Sequence, residues 1–170
     1  MAIDELTFSE SFHTASNDLP WADRWGGLDG VRLKLLMADI DAGRYVVRMQ
    51  FAPGVLVAPH KHSGEIHAFT FSGEWSYLEY PDGPSNRQGS YLFEPAGSTH
   101  TLKVSDANDD ETDILFVMSG AMLHLDETGA VVAVTDAQSV IRDYAALLRA
   151  QNEVLPMLPI GRGIKYTQLV

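Results

Sequence analysis

Short runs of β-prone residues, separated by turn residues, fill most of the chain from Val31 to Asp136. The runs are rich in Val, Phe, Tyr, Leu and Thr, and glycine or proline interrupts them at short intervals, as in RYVVRMQF before APG and EIHAFTF before SG. This spacing is typical of an antiparallel sandwich or barrel, and not of strands that alternate with long helices. We therefore predict an all-β fold.

The 170 residues fit one domain with three parts. Residues 1–30 are irregular and form an N-terminal arm, residues 31–135 form the barrel, and residues 136–170 form a helix followed by an extended tail. The helix is predicted because apolar residues share one helical stripe, with Asp136 as the N-cap. The stripe consists of Ala137, Val140, Ile141, Tyr144, Leu147 and Leu148.

Composition excludes several classes of function. The chain has no cysteine, which excludes disulfides, thiolate nucleophiles and cysteine-ligated metals. Its net charge of −11 disfavours nucleic acid, since affinity for a phosphate backbone is built largely from Lys and Arg. No apolar run approaches the roughly 20 residues that span a bilayer, and the first residues do not resemble a signal peptide. We expect a cytoplasmic protein that binds neither nucleic acid nor membrane.

Three histidines lie within one short stretch, PHKHSGEIHAFTFSGEW. His60 and His62 have the i, i+2 spacing that places two side chains on the same face of a strand, where their imidazoles can share one metal ion. Ser63 and Gly64 can bend the chain so that His67 faces the same interior. A second stretch, GSYLFEPAGSTH, delivers His100 to the start of another strand after a turn at Pro95. Three or four imidazoles suit iron, zinc, nickel or copper.

The two stretches resemble the two motifs of the cupin superfamily. The first motif is a glycine, five residues, His-x-His, a glutamate and a later glycine, and it matches Gly54, His60, His62, the position of His67, and Gly73. The second motif matches Gly89, Pro95, Gly97 and His100, whereas Val104 stands where the family has asparagine. The resemblance implies a double-stranded β-helix, that is, a jelly-roll barrel, with one divalent metal inside.

One departure concerns the first motif, where His67 occupies the glutamate position. A site of four neutral imidazoles and a divalent ion has a net charge of +2, which favours anionic bidentate ligands such as enolates. We predict His67 as the fourth ligand; the alternative is a residue that hydrogen-bonds beside the metal. Glu79 is the candidate for a carboxylate close to the ligands.

The residues of both stretches, together with the later segment ILFVMSGAMLHLDETGAVV, further resemble the single-domain cupins grouped with 2,4′-dihydroxyacetophenone dioxygenase. They resemble the acetylacetone-cleaving dioxygenases more distantly. That resemblance implies a non-haem Fe(II) enzyme that uses O2 to cleave a C–C bond in a small oxygenated ketone or diketone. Nickel or zinc would also occupy such a site after purification. The candidates for an aromatic substrate lining are Phe69, Phe71, Tyr77 and Phe93.

Two other functions remain open at this stage. One is a cupin isomerase, hydrolase or decarboxylase in which the metal acts only as a Lewis acid. The other is a metal or ligand sensor of the kind found in cupin-like anti-sigma factors. We also expect a homodimer, because the barrel has open edges and the resemblance suggests one.

Overall fold

The computed structural model describes residues 11–170, so the first ten residues of the predicted N-terminal arm lie outside the described part of the chain. Within residues 11–170, fourteen strands form two sheets that face each other. The first sheet contains β1 (Ala22–Asp23), β2 (Val31–Asp39), β3 (Arg44–Phe51), β5 (Ile66–Ser72), β8 (Tyr91–Glu94), β10 (Thr112–Ser119), β13 (Met157–Gly161) and β14 (Lys165–Gln168). The second contains β4 (Leu56–His62), β6 (Glu74–Tyr77), β7 (Asn86–Arg87), β9 (Thr99–Val104), β11 (Met122–Leu125) and β12 (Val131–Thr135).

The chain alternates between the sheets, as a jelly roll requires. The first sheet has the order β14-β13-β2-β3-β10-β5-β8, with β1 paired to β2, and the second has the order β12-β11-β4-β9-β6-β7. Every strand pairing in the described part of the chain is antiparallel except that of β13 with β2. The predicted all-β fold with a C-terminal helix is thus confirmed.

The core lies between the two sheets because residues alternate along each strand. In β10, for example, Ile114, Phe116 and Met118 are buried, whereas Leu115 and Val117 point to the outer side and are only half-buried. The largest buried side chains are Trp75, Tyr45, Tyr144, Phe51, Leu33 and Leu35.

A single glycine makes the sharp crossing from β5 in one sheet to β6 in the other. Gly73 has φ +78°, a region that side-chain-bearing residues rarely adopt. A Cβ atom at this position would lie 2.8 Å from the backbone Cα of Thr112. Only glycine fits this corner, which explains the glycine at the end of the first motif.

The predicted helix is present as α1 (Ala137–Ala150), and Asp136 is its N-cap. The Asp136 side chain accepts a hydrogen bond from the backbone N–H of Ser139, and the Ser139 hydroxyl oxygen accepts one from the backbone N–H of Asp136. The hydroxyl of Tyr144 donates to the carbonyl of Pro20, which ties the N-terminal segment to the helix. Among the described residues, we found no helix with the length and apolar character needed to cross a membrane.

The tail is more ordered than the sequence predicts. Strands β13 and β14 form a hairpin, and β13 pairs with β2 in parallel at Ile160 and Gly161. Leu158 and Ile160 are buried against the core. Pro159 lacks an amide hydrogen, but it is tolerated because the pairing with β2 begins only after it.

Candidate metal centre

Three buried histidines meet between the sheets. His60 and His62 lie on the inner face of β4, and His100 lies opposite His60 on the adjacent strand β9. One nitrogen atom from each ring lies within 4.8 Å of the others, and all three side chains are buried. The structure therefore brings together three of the four histidines that the sequence predicted to share a metal.

The environment keeps the two imidazoles of β4 neutral. Burial lowers the pKa of His60 to about 4 and that of His62 to about 4. The Nδ1 atom of His60 lies 2.9 Å from the carbonyl oxygen of Ala58, which can only accept a hydrogen bond. Nδ1 therefore carries the proton, and the Nε2 lone pair of His60 is left for a metal ion.

A carboxylate reaches the histidines from the opposite sheet. Glu94, the last residue of β8, is buried, and its Oε2 atom lies 3.1 Å from Nε2 of His100 and 3.5 Å from Nε2 of His62. The Tyr77 hydroxyl donates a hydrogen bond to Oε1 of Glu94. Burial raises the pKa of Glu94, but the contacts with His100, Tyr77 and His62 lower it by more. The pKa of Glu94 is therefore below its ordinary value, and the carboxylate is ionised.

Unpaired polar atoms show that the centre fits a metal ion. Nδ1 of His62, Nε2 of His100 and Oε2 of Glu94 are buried. The last two atoms lie 3.1 Å apart, but none of the three makes a well-aligned hydrogen bond within the described residues. A buried polar atom without a partner costs about 1–3 kcal/mol. Three imidazoles next to a carboxylate match the donors that divalent first-row metals prefer, and a bound ion would remove this cost.

His67 lies outside the cluster, and its predicted inner-face location is wrong. Ile66 and Ala68 point into the core, so strand alternation directs His67 to the outer face of β5. There its Nδ1 atom lies 2.7 Å from the hydroxyl of Tyr91, and its Nε2 atom lies 3.7 Å from a carboxylate oxygen of Glu65. The net charge of +2 expected for the metal site also changes, because Glu94 supplies a negative charge near the ion.

The same alternation corrects most of the predicted aromatic lining. Phe69, Phe71 and Phe93 are between 41% and 49% exposed on the outer face of the first sheet, so their predicted place in the cavity is wrong. Tyr77 does line the cavity, and its ring stacks on that of His100 with 4.2 Å between the ring centroids.

Glu79 does not face the cavity. Its carboxylate accepts a hydrogen bond of 2.8 Å from the backbone N–H of Thr101, the residue after His100. Burial raises the pKa of Glu79, but the hydrogen bonds with Thr101 outweigh this effect, and the net direction is downward. Glu79 thus holds the backbone next to His100, a candidate ligand. The carboxylate that lies close to the histidines is that of Glu94 and not that of Glu79.

The centre lines a cavity of about 900 Å³. Residues 24–28, part of β12 and one face of α1 frame its rim. His124, which lies opposite His60 in the pairing of β11 with β4, also lines it, and its Nε2 atom lies 2.9 Å from the hydroxyl of Thr135. The walls are mostly apolar and include Leu33, Met49, Leu102, Phe116, Met118 and Met122.

Comparison with known proteins agrees with this geometry. Residues 9–123 match the model of the family described as the ChrR cupin-like domain, which is more than half of the chain. The chain belongs to this cupin family. No curated protein matches it.

Solved structures extend the cupin likeness to nearly the whole chain. A protein of unknown function with a cupin-like fold from Ralstonia eutropha JMP134 is 29% identical with a TM-score of 0.84, and the alignment covers 95% of this cupin and 99% of the other chain. An RmlC-like cupin from the same organism is 22% identical, with a TM-score of 0.77 and coverages of 85% and 90%. An acetylacetone dioxygenase from Acinetobacter johnsonii is 19% identical, with a TM-score of 0.70 and coverages of 86% and 98%. The last two comparisons establish a shared fold.

Proposed function

We propose that this cupin is a dioxygenase that uses a divalent metal, Fe(II) in the native enzyme, to cleave a C–C bond in an oxygenated ketone. The observation that carries the proposal is the combination of three buried, convergent histidines with a buried carboxylate that has an unpaired oxygen. His60, His62 and Glu94 line a largely apolar cavity. An acid–base site that works without a metal would not need three convergent imidazoles.

The ligand set leaves room for substrate and oxygen. His60, His62 and His100 would hold the ion from one side, so that the positions facing the cavity stay open. When bound, the metal would supply Lewis acidity and a common point of attachment for a chelating ketone and O2. With Glu94 ionised and the histidines neutral, the centre would have a net charge of +1, which suits an anionic enolate.

Glu94 is the group that we expect to receive a proton from the substrate. Its Oε2 atom is free, whereas Oε1 is held by the hydroxyl of Tyr77. The proton on the carbon next to the substrate carbonyl would move to Oε2, and the electron pair would remain on the substrate as its enolate. Burial raises the pKa of Tyr77 well above its ordinary value, so the tyrosine stays protonated and keeps Glu94 oriented.

The overall reaction balances with O2 as the only oxidant. The C–C bond next to the oxygen-bearing carbon breaks, and one oxygen atom enters each of the two fragments. The substrate is oxidised while both atoms of O2 are reduced. The apolar walls around the centre would exclude bulk water and protect reactive oxygen species from side reactions.

The cavity indicates the size of the substrate. About 900 Å³ lies near the upper end of the usual range for small-molecule sites, which is roughly 300–1,000 Å³. We therefore infer a ketone with an apolar body, such as an aryl or alkyl group, attached to a carbonyl with a neighbouring hydroxyl or second carbonyl. The acetylacetone dioxygenase of similar fold acts on a diketone by its name, and this makes diketones reasonable first candidates.

The test is oxygen consumption by the iron-loaded protein. The chain is expressed without a nickel-affinity step, its metal content is measured, and Fe(II) is added under argon. An oxygen electrode then follows a panel of β-diketones and hydroxyacetophenones of increasing apolar size. We expect uptake of one O2 per substrate cleaved, with larger members turned over more efficiently. No uptake with any member, or equal turnover without oxygen, would refute the dioxygenase assignment.

One observation favours a second candidate, a sensor that binds a metal or ligand without turnover. The matching family model is that of the ChrR cupin-like domain, and we therefore keep the sensor weighed in the sequence analysis as the second candidate. A sensor would bind one metal ion per chain and a stable protein partner, and it would consume no oxygen. The same oxygen-electrode panel, combined with affinity capture of partners, distinguishes the two functions.

A further inference from the structure

The hydroxyl group of Tyr45 lies in the cavity and has no role in the metal centre. Tyr45 belongs to the inner face of β3, it is only 2% exposed, and it lines the cavity. Within residues 11–170, no side chain or backbone group forms a hydrogen bond with its hydroxyl. Buried tyrosines usually have a partner for this group, because an unpaired buried donor lowers stability. The group that satisfies Tyr45 must therefore come from what occupies the cavity.

A second uncommitted polar group lies on the facing sheet. His124 of β11 and Thr135 of β12 also line the cavity, and both side chains are half-buried. Nε2 of His124 lies 2.9 Å from the Thr135 hydroxyl, and either group can donate in this hydrogen bond. We call these residues the His124–Thr135 pair. Because the tautomer of the ring can change, the pair can offer either a donor or an acceptor to a bound molecule.

Tyr45 and Thr135 lie at the same end of the barrel. Met118 is opposite Tyr45 in the pairing of β10 with β3, and Met122 is opposite Thr135 in the pairing of β11 with β12. A short crossing between the two sheets joins Met118 to Met122. Burial and, to a lesser extent, the charge of Asp136 raise the pKa of Tyr45, so its hydroxyl stays protonated and can donate.

This end of the cavity is two strands away from the metal centre. His62 is opposite Met122, and Met122 is opposite Thr135, so the three residues form one row across the second sheet. Neighbouring strands are about 4.8 Å apart, which puts Thr135 about 10 Å from the candidate ligand His62. A ketone held at the metal could reach Thr135 with an apolar body of one ring or a short chain.

We propose that Tyr45 and the His124–Thr135 pair form a polar subsite that binds a hydroxyl group at the far end of the substrate. This inference rests on the proposed function, because it places the ketone oxygen atoms at the metal. It narrows the substrate class to ketones whose apolar body ends in an alcohol or phenol hydroxyl. Such a group can accept a hydrogen bond from Tyr45 and still donate to the pair.

A carboxylate suits this subsite less well than a hydroxyl group does. The arginines that line the cavity are Arg24 and Arg142, and both are exposed. Arg24 forms an ion pair with Asp29, and Arg142 forms one with Asp143. Neither guanidinium is therefore free to neutralise a carboxylate beside Tyr45.

The test compares the binding of two ketones by isothermal titration calorimetry under argon. The protein is loaded with Zn(II), which has no redox chemistry. One ligand is an aryl β-diketone with a hydroxyl group in the para position of the ring, and the other has a methyl group in its place. We expect the wild type to bind the hydroxyl ligand about tenfold more tightly, as one neutral hydrogen bond allows. Tyr45→Phe and Thr135→Val should each remove most of this preference and leave the affinity for the methyl ligand unchanged.

Tyr91→Phe is the matched control, because it removes a phenol hydroxyl from an exposed position on β8. It should keep the full preference for the hydroxyl ligand. A wild type that binds the two ligands equally, or binds neither, would overturn the subsite. A preference that survives both Tyr45→Phe and Thr135→Val, or that disappears in Tyr91→Phe, would also overturn it.

Urea denaturation of Tyr45→Phe gives a second measurement. Since the hydroxyl has no partner within the described residues, the variant should be at least as stable as the wild type. A clear loss of stability would show that the hydroxyl serves the fold and would contradict the proposal. Oxygen takes no part in these measurements, so a failure of the dioxygenase assignment at the oxygen electrode would be distinguishable from a failure of the subsite.

Discussion

At the residue scale, the Tyr77–Glu94–His100 contact joins the two halves of the centre. The ring of Tyr77 stacks on His100, and its hydroxyl fixes the carboxylate that approaches the histidines from the other sheet. In the second sheet, the Ala58 carbonyl fixes the proton of His60. The ligating nitrogens and the free carboxylate oxygen are therefore positioned by the barrel itself before any ion binds.

Removal of a candidate ligand should abolish stable metal binding. We expect His60→Ala and His100→Ala each to lose most of the bound metal, because two imidazoles hold a divalent ion far less tightly than three. His67→Ala is the matched control, since it also removes one imidazole but from the outer face. Elemental analysis of the purified variants checks this, and loss of metal in His67→Ala would contradict the assigned ligand set.

Glu94→Gln should separate metal binding from chemistry. The amide keeps the shape of the side chain but cannot accept a proton, so we expect near-normal metal content and a decrease in kcat of about 100-fold. Tyr77→Phe should give a smaller loss, because the carboxylate remains but is less well oriented. If Glu94→Gln instead lost its metal, Glu94 would be a ligand and not the proton acceptor.

The metal-free protein should lose stability as the pH falls from about 6.5 to 4. The pKa of His60 is about 4 in the folded protein, against an ordinary value of 6.5, so the unfolded chain takes up protons first. The free energy of unfolding therefore falls with pH across this window, by up to about 3 kcal/mol for one histidine. Urea denaturation in the presence of a chelator measures the trend. His62→Gln should show a shallower dependence, and an unchanged stability between pH 7 and 5 would refute the explanation.

The sequence predicts three ligands but misassigns the carboxylate. The i, i+2 spacing of His60 and His62 and the turn before His100 suffice to place these residues. The bend at Ser63 and Gly64 decides which face of β5 points inward, and this depends on how the chain crosses between sheets. Ile66 takes the inner position, and His67 is directed outward as a result. In the run YLFE, side chains alternate between the two faces of the strand, so Glu94 and Phe93 must point to opposite faces. Because Phe93 was expected to face inward, Glu94 was not considered as an inner residue.

At the element scale, α1 depends on its cap. Val140, Tyr144 and Leu148 bury one face of the helix, and other residues of α1 contribute to the cavity rim. The first turn of the helix, as of any α-helix, has backbone N–H groups that no intrahelical bond satisfies. Asp136 and Ser139 provide them.

Asp136→Ala should destabilise the protein by about 1 kcal/mol, since an N-cap of this type is lost. Asp143→Ala is a suitable control, because it removes an aspartate from the same helix but breaks only an exposed ion pair with Arg142. Its effect should stay below about 0.5 kcal/mol. Denaturant unfolding of both variants compares them, and equal losses would show that the cap is not the cause.

The helix could be predicted from the sequence, but the tail could not. Six apolar residues on one stripe and a capping aspartate are local signals, and local signals are sufficient for a helix. The pairing of β13 with β2 is not local, since it joins Ile160 with Ala38, which is far away in the sequence. Pro156 and Pro159 are typical of irregular structure. Leu158 and Ile160 become buried only when β13 packs against the first sheet.

At the scale of the whole molecule, the centre lies where both sheets contribute. The second sheet provides the three histidines, the first provides Glu94, and the backbone N–H of Gly97 donates a 2.8 Å hydrogen bond to the carbonyl of His62 across the turn between β8 and β9. The proposed metal and substrate would thus occupy the space between the two sheets.

The most direct test of the central claim is the fate of labelled oxygen during turnover. The iron-loaded protein is supplied with ¹⁸O₂ and with the ketone that supports the fastest oxygen uptake, and the two fragments are analysed by mass spectrometry. We expect one ¹⁸O atom in each fragment, with His100→Ala inactive under the same conditions. Fragments that form under argon, or that contain no label from O2, would contradict a dioxygenase and leave a metal centre that acts only as a Lewis acid.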